Sequence, residues 1–345
     1  ALALKEQAFL AKRLGSDYAQ RAATGKKRWE DPESPWNGTV PGILKEPLRL
    51  SASGLDVYLQ CPFAYLFGNV WKMEPWEEQT GYPGPDVVGS LLHAVLAEFL
   101  SRHLSKALSF SDLPQLRDEL QQVFADQFEA LVQSGKISQS SLLPHLRKVY
   151  GSWLSNWLKQ ECEYEQTSSL LPSKLEWSFG RKDSPWRALC RYVDDKPVYF
   201  SGQVDRIDTN GTTYAILDYK TGQHPSGSQI KDGKAVQLPL YARALMELGP
   251  VDPQNILGGG YCSLRSGKRE GGTWSPEAKK YLDYLARSRA AQAGGKYGKG
   301  LLQKSTKAVR ALRQGAFPAS PLRQLSALLS GQGCVPDFGK MPQKQ

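Results

Sequence analysis

The spacing of hydrophobic positions predicts that helices and strands alternate along most of the chain. Apolar residues recur at helical spacing in four long stretches, which we predict as helices 86–104, 113–133, 142–165 and 234–248. Stretches rich in β-branched and aromatic residues predict strands 175–179, 199–207, 212–219 and 256–264, with 186–193 as a further candidate. Ser51 or Ser53 can cap a shorter helix, and the polar stretch 221–233 predicts a loop. This alternation predicts an α/β fold.

One predicted hairpin carries most of the candidate chemistry. Asn210-Gly211 lies between two of the strands and is a strong signal for a two-residue turn. Asp205 and Asp218 can then approach each other from neighbouring strands. Asp218 and Lys220 are two residues apart and project from the same face of one strand. The sequence therefore predicts two carboxylates and an ammonium group at one place.

Such a pair of carboxylates can bind a hard divalent cation such as Mg²⁺, together with water and phosphate oxygens. A neighbouring lysine can orient or deprotonate an attacking water and offset charge on a phosphate. The alternative is that the carboxylates of the hairpin face solvent and that Lys220 is a surface ion-pair partner. The hairpin alone does not decide between a hydrolase and an ordinary surface ion pair.

Five motifs in order resemble one nuclease family. They are Ser51-Ala52-Ser53 with Tyr58 and Cys61-Pro62-Phe63, then Gly89 with His93, then Gly202-Gln203-Val204-Asp205-Arg206-Ile207-Asp208, then Asp218-Tyr219-Lys220-Thr221-Gly222, and finally Gln237 with Tyr241. Together they resemble the PD-(D/E)XK nuclease superfamily in its RecB/AddB-type branch, over about 50–321. The resemblance implies a restriction-endonuclease-like core with a mixed central sheet flanked by helices.

The resemblance also implies a role for each candidate residue. A Mg²⁺ or Mn²⁺ ion would be bound by His93, Asp205, Asp218, the backbone carbonyl of Tyr219 and, as in some members, an acid at the position of Glu176. Lys220 would act on the attacking water. Gln237 and Tyr241 are four residues apart on a helix, share one face, and would position the nucleic acid strand.

The cysteines depart from the pattern of this branch, many members of which hold an iron-sulfur cluster with four cysteines. Only Cys61 and Cys334 stand at positions that match, and two thiolates cannot hold a four-iron cluster. We therefore expect no iron-sulfur cluster. A disulfide between these two residues is disfavoured in a reducing cytosol. Three other cysteines are expected to be buried as small apolar residues, namely Cys162, Cys190 and Cys262.

Charge is concentrated at the C-terminal end. The 345 residues carry a net charge of +10, and residues 264–345 contain sixteen Lys or Arg against four Asp or Glu. Lys304, Lys307, Arg310 and Arg313 are spaced three apart, which predicts a positive helix face suited to a phosphate backbone or merely to solvent. We expect an N-terminal linker or docking arm (1–50) and one nuclease domain (51–345), with a helical insert at about 105–165 and a basic helical tail at about 265–345.

Relatives of this branch form the nuclease end of helicase-nucleases that act in recombinational DNA repair. The resemblance thus implies a DNA phosphodiester hydrolase, such as an exonuclease on single strands or ends, with a helicase subunit or motor domain as a partner. No stretch is apolar enough to cross a membrane, so we expect no membrane partner and a cytoplasmic location. The alternatives are a catalytically silent nucleic-acid-binding or scaffold module, and a free-standing nuclease of the CRISPR or phage type.

Overall fold

The computed structural model describes residues 42–73, 82–249, 251–275 and 307–314, together with positions 12, 23 and 278. The predictions for most of the arm 1–50, for Lys304 and for Cys334 lie outside the described residues. The chain forms two compact units. One consists of residues 1–48, 57–74 and 306–345, and the other of residues 49–56 and 75–305.

Short helices build the described part of the first unit. Helix α1 (Ala52–Gln60) has its last residues here and is followed by α2 (Pro62–Tyr65) and a π-helical turn (Leu66–Val70). Cys61 caps α2, because its buried sulfur accepts a hydrogen bond from the Ala64 backbone N–H. Pro62 follows at the first helical position, where its missing N–H leaves no hydrogen bond unmade. The first two residues of the Cys-Pro-Phe motif thus start a helix.

The last described helix, α8 (307–313), also belongs to the first unit. Lys307 and Arg310 are exposed, as the predicted positive face requires. Arg313 differs, because its guanidinium donates to Glu46 Oε1 at 2.9 Å. The charge of Arg313 is therefore paired within the protein.

A seven-stranded mixed sheet forms the centre of the second unit. Its strands are β1 (Leu48–Ser51), β2 (Leu171–Phe179), β3 (Leu189–Val193), β4 (Lys196–Thr209), β5 (Tyr214–Lys220), β6 (Ile256–Ser263) and β7 (Arg269–Trp274). The order is β1-β4-β5-β6-β7, and β2 and β3 also pair with the long β4. Strands β5 and β6 are parallel, and the pairs that β4 makes with β2, β3 and β5 are antiparallel. The predicted α/β fold with a mixed sheet is confirmed.

Helices cover both faces of this sheet. Helices α3 (Pro85–Ser101), α4 (Leu113–Gln133) and α5 (Leu143–Thr167) share a large apolar core with Tyr219 and Cys262 of the sheet. On the opposite face, α6 (Gly227–Lys231) and α7 (Gln237–Leu248) lie in the connection from β5 to β6. A parallel pair needs such a crossover, because a tight turn can join only antiparallel strands. In the described part of the chain, none of the helices has the length and apolar character needed to cross a membrane.

Several predictions about the elements need correction. Strand β7 lies where we predicted the start of a helical tail, and β1 begins inside the predicted arm. The predicted loop 221–233 contains α6, which begins with a capping box formed by Ser226 and Gln229. Helix α7 begins at Gln237 instead of residue 234. Cys162 and Cys262 are buried as expected, whereas Cys190 is only half-buried, since it lies on the edge hairpin of β3 and β4.

Candidate metal centre and active site

Asp205 and Asp218 lie where β4 and β5 separate. Arg206 pairs with Leu217 in the last antiparallel pair of these strands, so the two aspartates are the next residues beyond it. Their exposed fractions are only 8% and 2%. Asp205 Oδ2 accepts the backbone N–H of Tyr219 at 2.7 Å, which fixes that carboxylate against β5. The predicted approach of the two carboxylates is thus built into the hairpin.

His93 of α3 completes a compact set of atoms that could hold a metal ion. Its Nδ1 is 3.5 Å from Asp205 Oδ1, and its Nε2 is 3.1 Å from the backbone carbonyl oxygen of Tyr219. One ligand atom each from His93, Glu176 and Asp205 lie within 4.8 Å of one another. The carboxylate and carbonyl oxygens of this group suit Mg²⁺ or Mn²⁺.

Glu176 reaches this group from β2 with an unusual backbone conformation. Its φ is 51°, a value that non-glycine residues rarely adopt. Its neighbours Leu175 and Trp177 pair with Arg206 and Val204, on either side of Asp205. Gln203 donates a hydrogen bond to the Glu176 carboxylate. Backbone strain of this kind is concentrated at functional sites.

The electrostatics of the site favour binding of a cation. Burial, with the charge of Asp205 in addition, raises the pKa of Asp218 to about 6 and also raises the pKa of Glu176. Burial alone would lower the pKa of His93, but the hydrogen bond and charge of Asp205 raise it above its usual value. The nearby positive charges therefore do not fully offset the repulsion between these carboxylates. A divalent cation would relieve this repulsion.

Lys220 lies between Asp218 and helix α7. Its Nζ is 2.5 Å from Asp218 Oδ2 and 3.3 Å from Gln237 Oε1, and it lies 5.6 Å from the ring centre of Tyr261. Burial lowers the pKa of Lys220, but the charge of Asp218 and its hydrogen bond raise it by more, so that the net shift is upward. Lys220 is therefore an ammonium group in this arrangement. Tyr261 was missed in the sequence, since only the β5–β6 register places it beside the lysine.

Gln237 connects the lysine, the aspartate and Tyr241. Its Nε2 donates to Asp218 Oδ1 at 3.0 Å and to the Tyr241 hydroxyl oxygen at 3.1 Å. Both residues belong to the first turns of α7, as their spacing predicted. The structure thus brings together all of the candidate residues that we predicted from the sequence.

Asp56 is a further component that we missed in the sequence. Its exposed fraction is 7%, and its Oδ1 accepts the backbone N–H of Val236 at 2.5 Å, immediately before α7. Burial raises the pKa of Asp56 to about 6, although hydrogen bonds from the backbone of Val236 and Gln237 and the charge of Lys220 oppose the shift. Asp56 therefore holds the start of α7, and with it Gln237, in place. The signal that could have identified Asp56 in the sequence is a carboxylate among the apolar positions of α1.

Arg206 and Asp208 belong to the same motif as Asp205 but lie on the opposite face of β4. Arg206 has an exposed fraction of 0%, and its guanidinium lies 2.5 Å from Asp208 Oδ1 and 2.7 Å from Glu161 Oε1 of α5. Arg269 of β7 donates to the same Glu161 at 2.7 Å. This buried ion network is formed by Glu161, Glu165, Arg206, Asp208 and Arg269. It ties α5 to the sheet directly behind Asp205.

Comparison with known proteins agrees with this geometry. A family model described as the PD-(D/E)XK nuclease superfamily matches residues 49–335, and the chain belongs to this superfamily. The resemblance read from the motifs is thereby confirmed.

Curated relatives are named as one of the subunits of an ATP-dependent helicase/deoxyribonuclease. The protein from Acetivibrio thermocellus is 27% identical over 257 residues, which is 71% of this chain and 22% of the relative. The protein from Moorella thermoacetica is 27% identical over 217 residues, 61% of this chain and 18% of the relative. The chain thus matches only about a fifth of the length of these relatives.

Proposed function

We propose that the chain is a divalent-metal-dependent deoxyribonuclease, an exonuclease on single strands or DNA ends, that acts as the nuclease part of a helicase-nuclease in recombinational repair. One observation carries the proposal. His93, Glu176 and Asp205 form a compact metal-binding group, and the Tyr219 backbone joins it to Asp218, Lys220 and Gln237. The name of the relatives supports DNA as the substrate and a helicase partner. A cytoplasmic location is part of the same proposal.

The residues divide into those that would hold a metal and those that act beside it. His93, Asp205 and the Tyr219 carbonyl would hold Mg²⁺ or Mn²⁺, with Asp218 and Glu176 next to them. When bound, such an ion polarises a phosphoryl oxygen and lowers the pKa of a bound water.

Lys220 contributes a fixed positive charge. We assign Lys220 to orienting or deprotonating the attacking water and to stabilising charge on the phosphate, because its ammonium nitrogen lies 2.5 Å from Asp218 Oδ2 at the edge of the metal-binding group. Asp218 and Gln237 hold the ammonium group from two sides, so its position does not depend on the substrate. Tyr241, hydrogen-bonded to Gln237, positions the strand.

The experiment that tests this proposal is digestion of end-labelled single-stranded and blunt duplex DNA in Mn²⁺, in Mg²⁺ and in EDTA. Wild-type protein should cleave only with metal and release short products from one end. Asp218→Ala and Lys220→Ala should each reduce the rate by about a hundredfold or more. Internal fragments would refute the exonuclease part of the proposal.

The binding-module alternative makes a different prediction in the same assay. It requires that wild-type protein retains DNA without cleaving it in any metal, and that retention is lost as salt rises. The intact set of Asp205, Asp218 and Lys220, with both carboxylates buried and bonded to β5, favours the nuclease.

A further inference from the structure

A cleft of about 740 Å³ opens beside the metal-binding group, within the second unit. His93, Glu176 and Asp205 form one part of its lining. The remaining polar lining includes Arg181 and four serines, Ser51, Ser53, Ser90 and Ser201. The lining thus combines acidic groups that suit a metal with donors that suit an anion.

Arg181 is the one Lys or Arg side chain among the described residues of this lining. The residue is exposed, and its side chain makes no hydrogen bond or ion pair with any other residue in the described ranges. The charge of Arg181 nevertheless acts on Glu176: it lowers the pKa of Glu176, although burial raises that pKa by more. An unpaired guanidinium therefore faces a cleft whose metal-binding part is acidic.

The turn that carries Arg181 is held in a defined conformation. Gly180, with φ of +68°, donates its N–H to the carbonyl of Trp186 at 2.9 Å. The hydroxyl of Ser184 donates to the carbonyl of Ser178 at 2.5 Å, and the N–H of Ser184 donates to the carbonyl of Arg181 at 3.2 Å. The backbone at Arg181 is thus fixed relative to β2, the strand that also carries Glu176.

We propose that Arg181 binds a phosphate of the substrate strand next to the phosphate at the metal-binding group. This inference rests on the proposed nuclease function. Guanidinium groups bind phosphates through two parallel hydrogen bonds, and serine hydroxyls are common phosphate donors.

The test is the salt dependence of binding to a fluorescent single-stranded oligonucleotide, measured by anisotropy in an Asp218→Ala background so that the strand stays intact. Arg181→Gln should weaken binding about tenfold. It should also reduce the slope of log Kd against log salt by about 0.7, the value for one phosphate contact with a single strand. Arg181→Lys should retain the slope with intermediate affinity, because it keeps the charge and loses the two-pronged hydrogen bonding.

Lys182→Gln is the matched control. Lys182 is exposed in the same turn and does not line the cleft, so this variant should bind like the parent protein. Equal binding by Arg181→Gln and Lys182→Gln, with equal thermal unfolding, would overturn the inference.

The same variants separate this inference from the proposed function. Metal-dependent cleavage by wild-type protein, with no effect of Arg181 on strand binding, would refute the inference alone. An effect of Arg181 on the salt slope, in a protein that cleaves DNA in none of the metals, would refute the nuclease function and support the assignment of Arg181 to the strand.

Discussion

At the scale of single residues, each member of the site has properties set by its neighbours. Asp218 favours the ammonium form of Lys220, because its charge and hydrogen bond raise the pKa of Lys220 by more than burial lowers it, and Asp218 is held by Gln237 as well as by Lys220. Asp56 acts one step further away, because it fixes the backbone from which Gln237 projects. A buried carboxylate of this kind has a measurable effect on stability.

Asp56→Asn tests this role through pH. The pKa of Asp56 is raised from 3.8 to about 6, so between these values the folded protein binds more protons at this site than the unfolded chain. The contribution of Asp56 to stability is therefore greatest at low pH and falls, by about 2 to 3 kcal/mol, as pH rises through about 6. Asparagine keeps an acceptor oxygen and does not titrate.

The free energy of unfolding of Asp56→Asn relative to wild type should therefore increase from about pH 4 to about pH 7. Urea unfolding at several pH values measures this difference. The pH-dependent contributions of the titrating groups that both proteins share cancel in it. Asp56→Ala, which leaves the Val236 and Gln237 N–H groups without this acceptor, should be less stable than Asp56→Asn by about 1 to 3 kcal/mol. A difference that does not vary with pH would show that Asp56 is not a buried titrating group.

At the scale of elements, the site depends on how closely β4 and α7 approach. Gly202 of β4 lies against Tyr241 of α7 and Phe179 of β2. A Cβ atom at position 202 would lie 2.6 Å from Tyr241 Cε1 and 2.9 Å from Phe179 Cε1. The glycine of the Gly-x-Val-Asp motif, Gly202, is thus required by packing, and it allows Tyr241 to reach Gln237.

Gly202→Ala should therefore displace the Tyr241 ring. We expect a loss of about 1 to 3 kcal/mol in stability, because the added methyl group overpacks the site. Cleavage should fall as well, since the Tyr241 hydroxyl would move from Gln237. Gly222→Ala is the control: no atom lies within 4 Å of a Cβ at that position. Thermal unfolding of the two variants compares them, and equal stabilities would contradict the packing argument.

At the scale of the whole molecule, the buried ion network joins distant parts of the chain in the second unit. Glu161 of α5, Arg206 of β4 and Arg269 of β7 meet where no solvent screens their charges. Arg206 and Arg269 lower the pKa of Glu161 to about 2, although burial acts in the opposite direction. Glu165, with one fewer cationic contact, has its pKa raised to about 9, by burial first and then by Glu161.

Arg206→Met should lower the free energy of unfolding of the second unit. Removing this cation leaves Asp208 without its closest partner and Glu161 with one of its two, and breaking a buried ion pair in this way typically lowers the free energy of unfolding by about 3 to 5 kcal/mol. Arg102→Met removes two exposed ion pairs, with Glu98 and Glu119, and should change stability far less, because solvent screens these charges. Urea unfolding measures both variants, and similar losses in the two would contradict the special role of the buried network.

The hairpin and the candidate site could be predicted well from the sequence because local rules determine them. Asn210-Gly211 marks the position of the turn, although β4 and β5 are joined by the four residues 210–213 and not by the predicted two-residue turn. The alternation of side chains along a strand places Asp218 and Lys220 together. Likewise, Gln237 and Tyr241 share a helix face by their spacing alone. The family motifs extended the assignment to His93 and Glu176, whose partners lie far away in sequence.

Features that depend on tertiary contacts could not be predicted in the same way. Strand β7 is short and contains two glycines, and it forms only because the glycine-rich β6 accepts it as a neighbour. The start of α7 is set by Asp56, which is 180 residues from Val236. The left-handed conformation of Glu176 has no signal in its sequence neighbourhood.

The most direct test of the central claim is Mn²⁺ binding by electron paramagnetic resonance, with cleavage measured on the same samples. Wild-type protein should remove Mn²⁺ from the free pool. Asp205→Asn should bind it at least about tenfold more weakly and should not cleave DNA, because a charged oxygen ligand has been lost. Asp126→Asn, the same change at a position of α4 outside the site, should behave like wild type. Absence of Mn²⁺ binding by wild type, or equal binding by the Asp205→Asn and Asp126→Asn variants, would contradict a metal centre at Asp205.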